Sequence, residues 1–247
     1  MSPDTSVARF AGQPVLVTGP NDGGGFAAIA ERFAEEGAQL VLAGLDRPEK
    51  LIHRFERRQV SHLWHETDIT NSKAVGEMVK AAVTAFGSFN VVVNNAGIGH
   101  LRPLEELSED EWLHVYDVNV AGTARVIRTV LPHLQPNSCI VNVASAMGLT
   151  GCAGYSLYGS SKAAVVNMTI SLAWELAPKR IRVVAVAPAM IPTPMMMPAV
   201  DHMDQAAWQQ LEDCHPLGLG SPQDVAAAVA FLASDDARWL TGGPLPM

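Results

Sequence analysis

The chain has 247 residues and a formal net charge of −8 at pH 7, with 48% hydrophobic and 17% charged residues. This composition favours a packed core over disorder, and the low charged fraction is typical of a sheet covered on both faces. No run of Lys and Arg forms a basic stripe, so we expect no nucleic-acid partner. The densest basic stretch, residues 54–58, is interpreted as the solvated end of a helix.

Cysteines, histidines and apolar runs exclude further classes of protein. Cys139, Cys152 and Cys214 are far apart in sequence and form no CxxC pair, and the eight histidines include no HExxH motif. We therefore expect neither a disulfide framework nor a metal site. No apolar run approaches the ~18 residues of a membrane span, and the N-terminus lacks signal-peptide features. These observations predict a cytoplasmic protein that makes no membrane contact.

Short β-rich runs alternate with amphipathic stretches along the whole chain, without a repeat or a linker. Strands are predicted at Pro14–Thr18, Gln39–Ala43, Ser61–Glu66, Asn90–Asn94, Ser138–Ala144, Ile181–Ala187 and, as a closing strand, Trp239–Leu245. Helices are predicted at Gly25–Glu36, Pro48–Arg58, Ser72–Phe86, Glu109–Leu134, Leu157–Ala177 and about Pro222–Ala233.

Two of the predicted strands contain uninterrupted apolar runs, Val15–Val17 and Val91–Val93. Such runs are typical of parallel strands buried on both faces. The alternation predicts an α/β fold, a doubly wound parallel sheet of the Rossmann type with helices on both faces, in one domain spanning residues 1–247. Because ligands of such sheets bind at the carboxyl ends of the strands, functional residues are expected there.

A glycine-rich segment, residues 18–25, follows the first predicted strand and precedes a helix. Glycines at such a place allow a tight turn and a close approach of the backbone to a pyrophosphate, and the helix N-terminus supplies amide donors. An ordinary glycine loop is the alternative, but the strand–turn–helix context favours nucleotide binding. The candidate contacts are Thr18, Gly19, Asp22, Gly23 and Gly25.

Polar residues also follow the fourth and fifth predicted strands. Residues 94–97, Asn-Asn-Ala-Gly, could line a cofactor, although a polar turn has the same composition. Ser145 follows the fifth strand, and Tyr158 and Lys162 lie four apart at the start of the next helix, on one helical face. An ammonium beside a phenol lowers the phenol's pKa and suits it to general acid–base catalysis. Taken alone, the pair could equally be a packed tyrosine and a solvated lysine.

These features together resemble the short-chain dehydrogenase/reductase family, in its single-domain branch of about this length. The resemblance spans nearly the whole chain. It rests on Thr18-Gly19 with Gly23 and Gly25, Asn94-Asn95-Ala96-Gly97, Asn119, Ser145, and Tyr158 with Lys162.

The resemblance implies NAD(P)-dependent hydride transfer between the nicotinamide and a carbonyl or secondary alcohol. Tyr158 would exchange the proton, Lys162 would lower its pKa and bind the nicotinamide ribose, and Ser145 would orient the substrate oxygen. Asn119 would hold a water that links Lys162 to solvent. Further cofactor contacts implied by the family pattern are Asp68 and Ile69, Asn95, Ala96 and Gly97, and Pro188, Ile191 and Thr193.

Three departures from the family pattern stand out. Gly24 replaces the usual aliphatic residue of the glycine loop, and Ala189 replaces the glycine that usually follows Pro188. The segment after Thr241 lacks the usual Asp-Gly-Gly tail, which bears on C-terminal packing and subunit contacts. None of the three removes a residue of the catalytic set.

The choice between NAD and NADP depends on the end of the second strand. There an aspartate usually binds the ribose of NAD, and a nearby arginine binds the NADP phosphate; Gly44 and Leu45 stand at these positions. Asp22 occupies a glycine-loop position at which a carboxylate would repel a 2′-phosphate, and Asp46 is a second acidic candidate. We expect NAD, with Arg47 as the feature that favours NADP.

Residues 189–215 are expected to form a lid over the substrate. The segment is rich in methionine and, up to Gly220, contains no Arg or Lys. Methionines adapt to varied apolar ligands, which favours an apolar or bulky small-molecule substrate, although core or interface packing would use them equally.

Two other hypotheses compete with an active oxidoreductase. A non-catalytic dinucleotide-binding protein on the same fold would act as a sensor or partner-binding protein, and a related lyase would have lost the lysine and the glycine loop. The complete catalytic set argues against both.

The resemblance also implies a homodimer or homotetramer that pairs through the two long helices. Their apolar residues would serve either that interface or the core: Trp112, Val126, Ile127, Val165, Val166 and Trp174.

Overall fold

A parallel sheet with helices on both faces organises the residues that the computed structural model describes, which are 8–22, 26–99, 101–193 and 203–247. Within these ranges the strands are β1 (Pro14–Thr18), β2 (Gln39–Gly44), β3 (His62–Glu66), β4 (Phe89–Asn94), β5 (Leu134–Val143), β6 (Arg182–Ala187) and β7 (Pro244–Pro246). Their order is β3-β2-β1-β4-β5-β6-β7, and every neighbouring pair is parallel.

The helices in the same ranges are α1 (Ala27–Glu35), α2 (Glu49–Arg57), α3 (Ser72–Phe86), α4 (Glu109–Tyr116), α5 (Thr123–Val130), α6 (Ser156–Leu176), α7 (Gln205–Asp213) and α8 (Pro222–Ala233). One core contains residues of α1, α2 and α8, and a second contains residues of α3, α5 and α6. The helices therefore cover both faces of the sheet, and the predicted doubly wound fold is confirmed.

Each central strand contributes side chains to both cores. On β1, Val15 and Val17 belong to the first core and Leu16 to the second, because successive side chains of a strand point to opposite faces. On β4, Val91 and Val92 divide in the same way. This division explains the uninterrupted apolar runs of the sequence.

The chain reverses direction across the sheet between β1 and β4. Strands β1, β2 and β3 proceed towards one edge, and β4 then pairs with the other side of β1. The connections above β1 and β4 diverge at such a switch point and leave a crevice at the carboxyl ends of the strands. Functional residues are therefore expected at this crevice.

The single helix predicted over residues 109–134 is wrong in its middle and at its end. Helix α4 begins with a capping box between Ser108 and Glu111 and ends at Tyr116, and a π-helical turn, Asp117–Gly122, precedes α5. Pro132 then ends the helical segment in a 3₁₀ turn, so β5 starts at Leu134 rather than at residue 138.

The C-terminal third differs from expectation in two elements. Helix α7 was not predicted; it begins at the cap Asp204, which accepts a hydrogen bond from the amide of Ala207 at 2.8 Å. The closing strand is three residues long and lies later than predicted, because Trp239 stands in an exposed turn before it. Residues 194–202 of the expected lid lie outside the described residues.

Six apolar residues of the two long helices were expected to serve either the core or a subunit interface. Four of them are buried in the core: Val126, Ile127, Val165 and Val166. Trp174 is 80% exposed, and Trp112 is partly buried. Among the described residues, no helix is both long and apolar enough to cross a membrane.

Candidate active site

Thr18 and Asn95 join the carboxyl ends of β1 and β4. The Thr18 hydroxyl accepts hydrogen bonds from the amides of Asn95 (3.1 Å) and Ala96 (3.0 Å). In return, the Asn95 side-chain amide donates to the carbonyls of Thr18 and Gly19, each at 3.0 Å. The segment after β4 is therefore a brace across the switch point rather than an independent polar turn.

Gly19 begins the glycine-rich loop in a conformation that requires glycine. Its φ is +66°, and a Cβ there would lie 2.8 Å from the Cα of Ala96. The two chain segments thus approach each other more closely than side chains allow. Gly23 and Gly25, the other predicted glycine contacts, lie outside the described residues.

Ser145, Tyr158 and Lys162 lie together, as the sequence predicted. Ser145 leaves β5, and its hydroxyl accepts from the amide of Met147 at 3.2 Å. The Lys162 ammonium lies 5.7 Å from the centroid of the Tyr158 ring and donates to the carbonyl of Val143 at 2.8 Å. Helix α6 therefore brings phenol and ammonium to the carboxyl end of β5.

The environment raises the pKa of Tyr158 to about 12. Burial of the phenol is the main cause, the hydrogen bond from Ser145 acts in the opposite direction, and Tyr155 contributes a smaller increase. Lys162 is not among the causes of this shift, and its effect on the pKa of Tyr158 stays a prediction. Tyr158 consequently holds its proton at neutral pH.

Burial also lowers the pKa of Lys162 to about 8. The residue is only 5% exposed, and among the described residues no carboxylate forms an ion pair with it. Placing an ammonium there costs stability, since a buried charge without a counter-charge is disfavoured. Such costs are typical of functional sites.

Asn119 lies on the π-helical turn and is 1% exposed. Its side-chain oxygen accepts from the amide of Ile98 (2.9 Å), and its amide donates to the carbonyl of Ile98 (2.8 Å) and to the hydroxyl of Ser161 (2.9 Å). Asn119 therefore ties the segment after β4 to α6. Turns of this kind occur often at functional sites.

Two glycines after β4 shape the space around these groups. A Cβ on Gly97 would lie 3.2 Å from both the Asn119 side-chain oxygen and the Lys162 ammonium, and a Cβ on Gly99 would lie 2.1 Å from the Tyr158 ring. Gly99 was not among the predicted site residues. The sequence feature that could have identified Gly99 is its place as the second glycine in Ala96-Gly97-Ile98-Gly99. We call Asn119, Ser145, Tyr158 and Lys162 the β4–β5 side of the site.

The β1–β2 side comprises Gly19, Asp22, Gly44 and the start of α2. The Asp22 carboxylate accepts from the amides of Lys50 (2.7 Å) and Leu51 (2.9 Å), in the first turn of α2. Sequence reasoning treated this carboxylate as a free charge and missed its role as a helix cap.

The other acidic and basic candidates near β2 and β3 are exposed. Asp46 lies in the turn after β2, and Arg47 pairs with Glu49 at 3.3 Å. Asp68 accepts from the amide (2.8 Å) and the hydroxyl (2.7 Å) of Thr70, in the turn after β3. Its neighbour Ile69 is buried and contacts the π-helical turn, since a Cβ on Gly122 would lie 2.8 Å from it.

The segment after β6 runs beside the serine loop. The carbonyl of Pro188 accepts from the amide of Ala146 at 2.8 Å, next to Ser145. Ile191 and Thr193 are 7% and 5% exposed. The segment predicted to contact the nicotinamide is therefore adjacent to Ser145.

A cavity of about 290 Å³ lies between residues 147–152 and the outer face of α6. Met147, Tyr155 and Gly159 are among its lining residues, whereas Ser145, Tyr158 and Lys162 are not. This cavity is therefore distinct from the reacting groups, and no substrate is assigned to it.

The described residues fit a dinucleotide that lies across the switch point. Gly19, Gly97 and Gly99 leave room that a Cβ would fill, and the side-chain oxygen of Asn95 is buried without a hydrogen-bond donor among the described residues. Among the same residues there is no cluster of His, Cys, Asp or Glu that could hold a metal. The fold and site thus define an α/β enzyme of the dinucleotide-binding class.

Comparison with known proteins identifies the family. Residues 23–247 match the family model described as enoyl-(acyl carrier protein) reductase. A dehydrogenase/reductase from Sinorhizobium meliloti 1021 is 31% identical, with a TM-score of 0.89 over 98% of this chain and 96% of that chain. The chain belongs to the short-chain dehydrogenase/reductase family.

Curated relatives extend over the same length. The chain is 35% identical to a 3-oxoacyl-(acyl-carrier-protein) reductase of Thermotoga maritima, over 95% of both chains. It is 38% identical to a cis-4-hydroxycyclohexanecarboxylate dehydrogenase of Sinomonas cyclohexanicum, over 96% of this chain and 95% of the relative. It is 40% identical to a subunit of a hydroxy(phenyl)methylsuccinyl-CoA dehydrogenase of Thauera aromatica, over 92% and 91%. This chain is an NAD(P)-dependent oxidoreductase.

Proposed function

We propose that the protein transfers a hydride between a nicotinamide and a carbonyl or secondary alcohol, with Tyr158 as the acid and base. The observation that carries this proposal is the convergence of Ser145, Tyr158 and Lys162 at the carboxyl end of β5, where the Lys162 ammonium lies 5.7 Å from the centroid of the Tyr158 ring and donates to the carbonyl of Val143, close to Ser145 in the chain. Two hydroxyls that meet at one place can both donate to a single substrate oxygen.

The side chains of this site would transfer the proton and stabilise the developing charge. A bound nicotinamide would supply or accept the hydride. During carbonyl reduction Tyr158 donates its proton to the substrate oxygen, and Ser145 stabilises the charge that develops there. The Lys162 ammonium then faces a phenolate, which it stabilises.

The cofactor contacts proposed are those predicted from the sequence. The brace of Thr18, Gly19 and Asn95 would face the pyrophosphate and the adenosine, and the segment 188–193 would face the nicotinamide. We propose NAD over NADP, because an acidic residue, Asp22, stands in the glycine-rich loop and Arg47 already pairs with Glu49.

We propose a neutral, bulky or largely apolar substrate. No Arg or Lys occurs between Ala189 and Gly220 to clamp a carboxylate or phosphate, and Met190 and Ile191 are apolar neighbours of the nicotinamide segment. The relatives are named for a 3-oxoacyl chain, a phenyl-bearing succinyl-CoA and a hydroxycyclohexanecarboxylate, which supports a bulky substrate.

A substrate panel tests this proposal. Purified protein and deuterium-labelled NADH are incubated in parallel reactions, each with one candidate substrate: a cyclohexanone derivative, a 3-oxoacyl thioester or a short keto acid. The deuterium content of each product is measured by mass spectrometry. We expect label at the carbinol carbon and kcat/KM at least about 10-fold higher for the bulky ketones than for the keto acid. Absence of label from every ketone would contradict the proposal.

A homodimer or homotetramer and a cytoplasmic location stay predictions. Leu113 on α4 and Trp174 on α6 are 69% and 80% exposed, which supports pairing through these helices. Light scattering coupled to size-exclusion chromatography tests the first prediction, and cell fractionation tests the second.

A further inference from the structure

The backbone of Met190 is held at both of its polar groups. Met190 belongs to the segment 188–193, which we propose to contact the nicotinamide, and it is 9% exposed. Its carbonyl accepts from the amide of Gly220 at 3.2 Å, and its amide donates to Nε2 of His215 at 3.3 Å. The position of the segment therefore depends on a side chain that lies 25 residues further along the chain.

The other ring nitrogen of His215 binds the end of α7. Nδ1 lies 2.7 Å from the carbonyl of Leu211, in the last turn of that helix. The last carbonyls of a helix have no amide partner within it, and a histidine near the C-terminus can donate to them. One half-buried imidazole thus joins the end of α7 to the backbone of Met190.

The two partners determine the form of the imidazole. The carbonyl of Leu211 only accepts, so Nδ1 carries the proton, and the amide of Met190 only donates, so Nε2 carries none. The hydrogen bond at one ring nitrogen fixes the state of the other in this way. Only the neutral ring with its proton on Nδ1 makes both bonds.

The held residue lies between two parts of the candidate active site. Pro188, two residues earlier, accepts through its carbonyl from the amide of Ala146 at 2.8 Å, directly after Ser145 in the chain. Ile191, the next residue, is one of the predicted nicotinamide contacts and is buried. A shift of the Met190 backbone would therefore move a proposed cofactor contact relative to the reacting groups.

We propose that His215 is a positioning residue for the nicotinamide. Through the amide of Met190 it fixes the segment 188–193, and through the carbonyl of Leu211 it attaches α7 to that segment. This inference rests on the proposed function, since it assumes that a nicotinamide lies beside residues 188–193. It deepens that function by making nicotinamide binding depend on one nitrogen of a side chain that does not itself touch the cofactor.

Three substitutions separate the two bonds of the imidazole. The amide nitrogen of asparagine reaches roughly the place of Nδ1, so His215→Asn can keep the bond to Leu211, whereas the longer His215→Gln can place its oxygen near Nε2 and accept from Met190. His215→Ala removes both bonds. His62→Ala is the matched control, because the half-buried His62 bonds through Nδ1 to the carbonyl of Val60 at 2.9 Å on the edge strand β3.

Binding measurements report on the two ends of the cofactor without turnover. The reduced cofactor that the wild type binds more tightly is titrated by nicotinamide fluorescence. Its adenosine fragment, 5′-AMP for NADH or 2′,5′-ADP for NADPH, is titrated by calorimetry. Because the proposed contact is with the nicotinamide, a positioning role changes the affinity for the whole cofactor and leaves that for the fragment unchanged. Thermal unfolding reports on the cap of α7.

We expect His215→Asn and His215→Ala to bind the reduced cofactor about 3- to 10-fold more weakly than the wild type, the range for loss of one neutral hydrogen bond. His215→Gln should restore the affinity to within about twofold, and all variants should bind the fragment within about twofold of the wild type. Loss of the cap should lower the melting temperature of His215→Gln and His215→Ala by about 2–4 °C, with His215→Asn close to the wild type. His62→Ala should change neither affinity by more than about twofold.

Three results would overturn the inference. Equal losses of cofactor affinity in His215→Asn and His215→Gln would show that the acceptor facing Met190 is not the group that matters. Equal losses for the cofactor and its fragment would show a general loosening of the fold. Unchanged cofactor affinity in every His215 variant would show that the bond to Met190 takes no part. In each of these cases a wild type that binds the cofactor leaves the proposed function standing, whereas a wild type that binds neither NADH nor NADPH would end both.

Discussion

The two sides of the site treat charge in opposite ways. On the β4–β5 side Lys162 is buried, its pKa is lowered to about 8, and its ammonium donates to the carbonyl of Val143. On the β1–β2 side the Asp22 carboxylate is exposed and is satisfied by two backbone amides. One side holds a charge at a cost in stability, whereas the other uses a charge to anchor a helix.

This difference separates residues kept for chemistry from residues kept for architecture. A buried ammonium without a counter-charge costs stability even when it donates to a backbone carbonyl, and this cost supports the proposed role of Lys162 in the reaction. A carboxylate at a helix N-terminus stabilises the fold and at the same time restricts which ligand fits beside it. The following predictions test whether the two sides differ in this way.

The largest effect is expected from Gly99→Ala. The new Cβ would lie 2.1 Å from the Tyr158 ring, so either the ring or the loop has to move. A displacement of about 1 Å at a reacting group costs roughly 10²-fold in rate, and we expect kcat to fall by about that factor, with a loss of NADH affinity if the loop rather than the ring moves. Steady-state kinetics and fluorescence titration measure the two quantities.

Gly76→Ala is the matched control, since a Cβ there has no neighbour within 4 Å among the described residues and the position lies within α3. It should keep full activity and gain about 0.5–1 kcal/mol in stability. Equal kcat in Gly99→Ala and the wild type would show that Gly99 does not shape the site.

Lys162→Met should stabilise the protein while abolishing turnover. The pKa of Lys162 is lowered to about 8 from 10.5, so at neutral pH the charged form costs about 1–3 kcal/mol, which methionine does not incur. Between about pH 8 and 10.5 the unfolded chain binds more protons, so the wild type regains stability as pH rises through that window. The stability gap between variant and wild type should therefore narrow there, as measured by urea unfolding at several pH values.

Lys73→Met provides the control, because Lys73 is 85% exposed on α3. Its stability difference from the wild type should stay constant over the same pH window. A Lys162→Met variant that is less stable than the wild type at pH 7 would contradict the claim that the buried ammonium is costly.

A smaller effect is expected below the β4–β5 side, from Thr169→Val. Asn94 donates to Asn142, and Asn142 donates to the Thr169 hydroxyl, each at 2.9 Å, in a fully buried chain. Valine leaves the Asn142 amide without its acceptor, which costs about 1–3 kcal/mol. Thermal unfolding measures the loss, and kcat should change little.

Thr129→Val is the comparison for Thr169→Val. The Thr129 hydroxyl donates to the carbonyl of Arg125 in its own helix, and the residue is partly buried. Its replacement should cost less than about 0.5 kcal/mol. Equal losses of stability in the two variants would show that the buried series of hydrogen bonds contributes no more to stability than a single helical hydrogen bond.

The β4–β5 side could be predicted because its residues lie in short, ordered motifs. Tyr158 and Lys162 share a helical face at a spacing of four, and Ser145 directly follows a strand, so helix and sheet geometry bring them together. The doubly wound sheet followed for a similar reason, since the apolar runs of β1 and β4 and the alternation with helices leave few other folds.

The remaining features depend on long-range contacts to backbone. The cap of α2 by Asp22 joins positions 28 and 29 residues apart, and the π-helical turn depends on bonds from Asn119 to Ile98. Neither partner has a side-chain signature in the sequence. The raised pKa of Tyr158 depends on how deeply the phenol is buried, which periodicity alone does not give.

Stopped-flow kinetics of Tyr158→Phe with the best substrate of the panel tests the central claim most directly. NADH binding is followed by fluorescence, and hydride transfer by loss of reduced-nicotinamide absorbance in a single turnover. We predict that the NADH affinity stays within about threefold of the wild type and that hydride transfer slows by about 10²–10⁴-fold, because the proton donor is gone while the brace across the switch point is intact. Hydride transfer at the wild-type rate would contradict the assignment of Tyr158 as the acid and base.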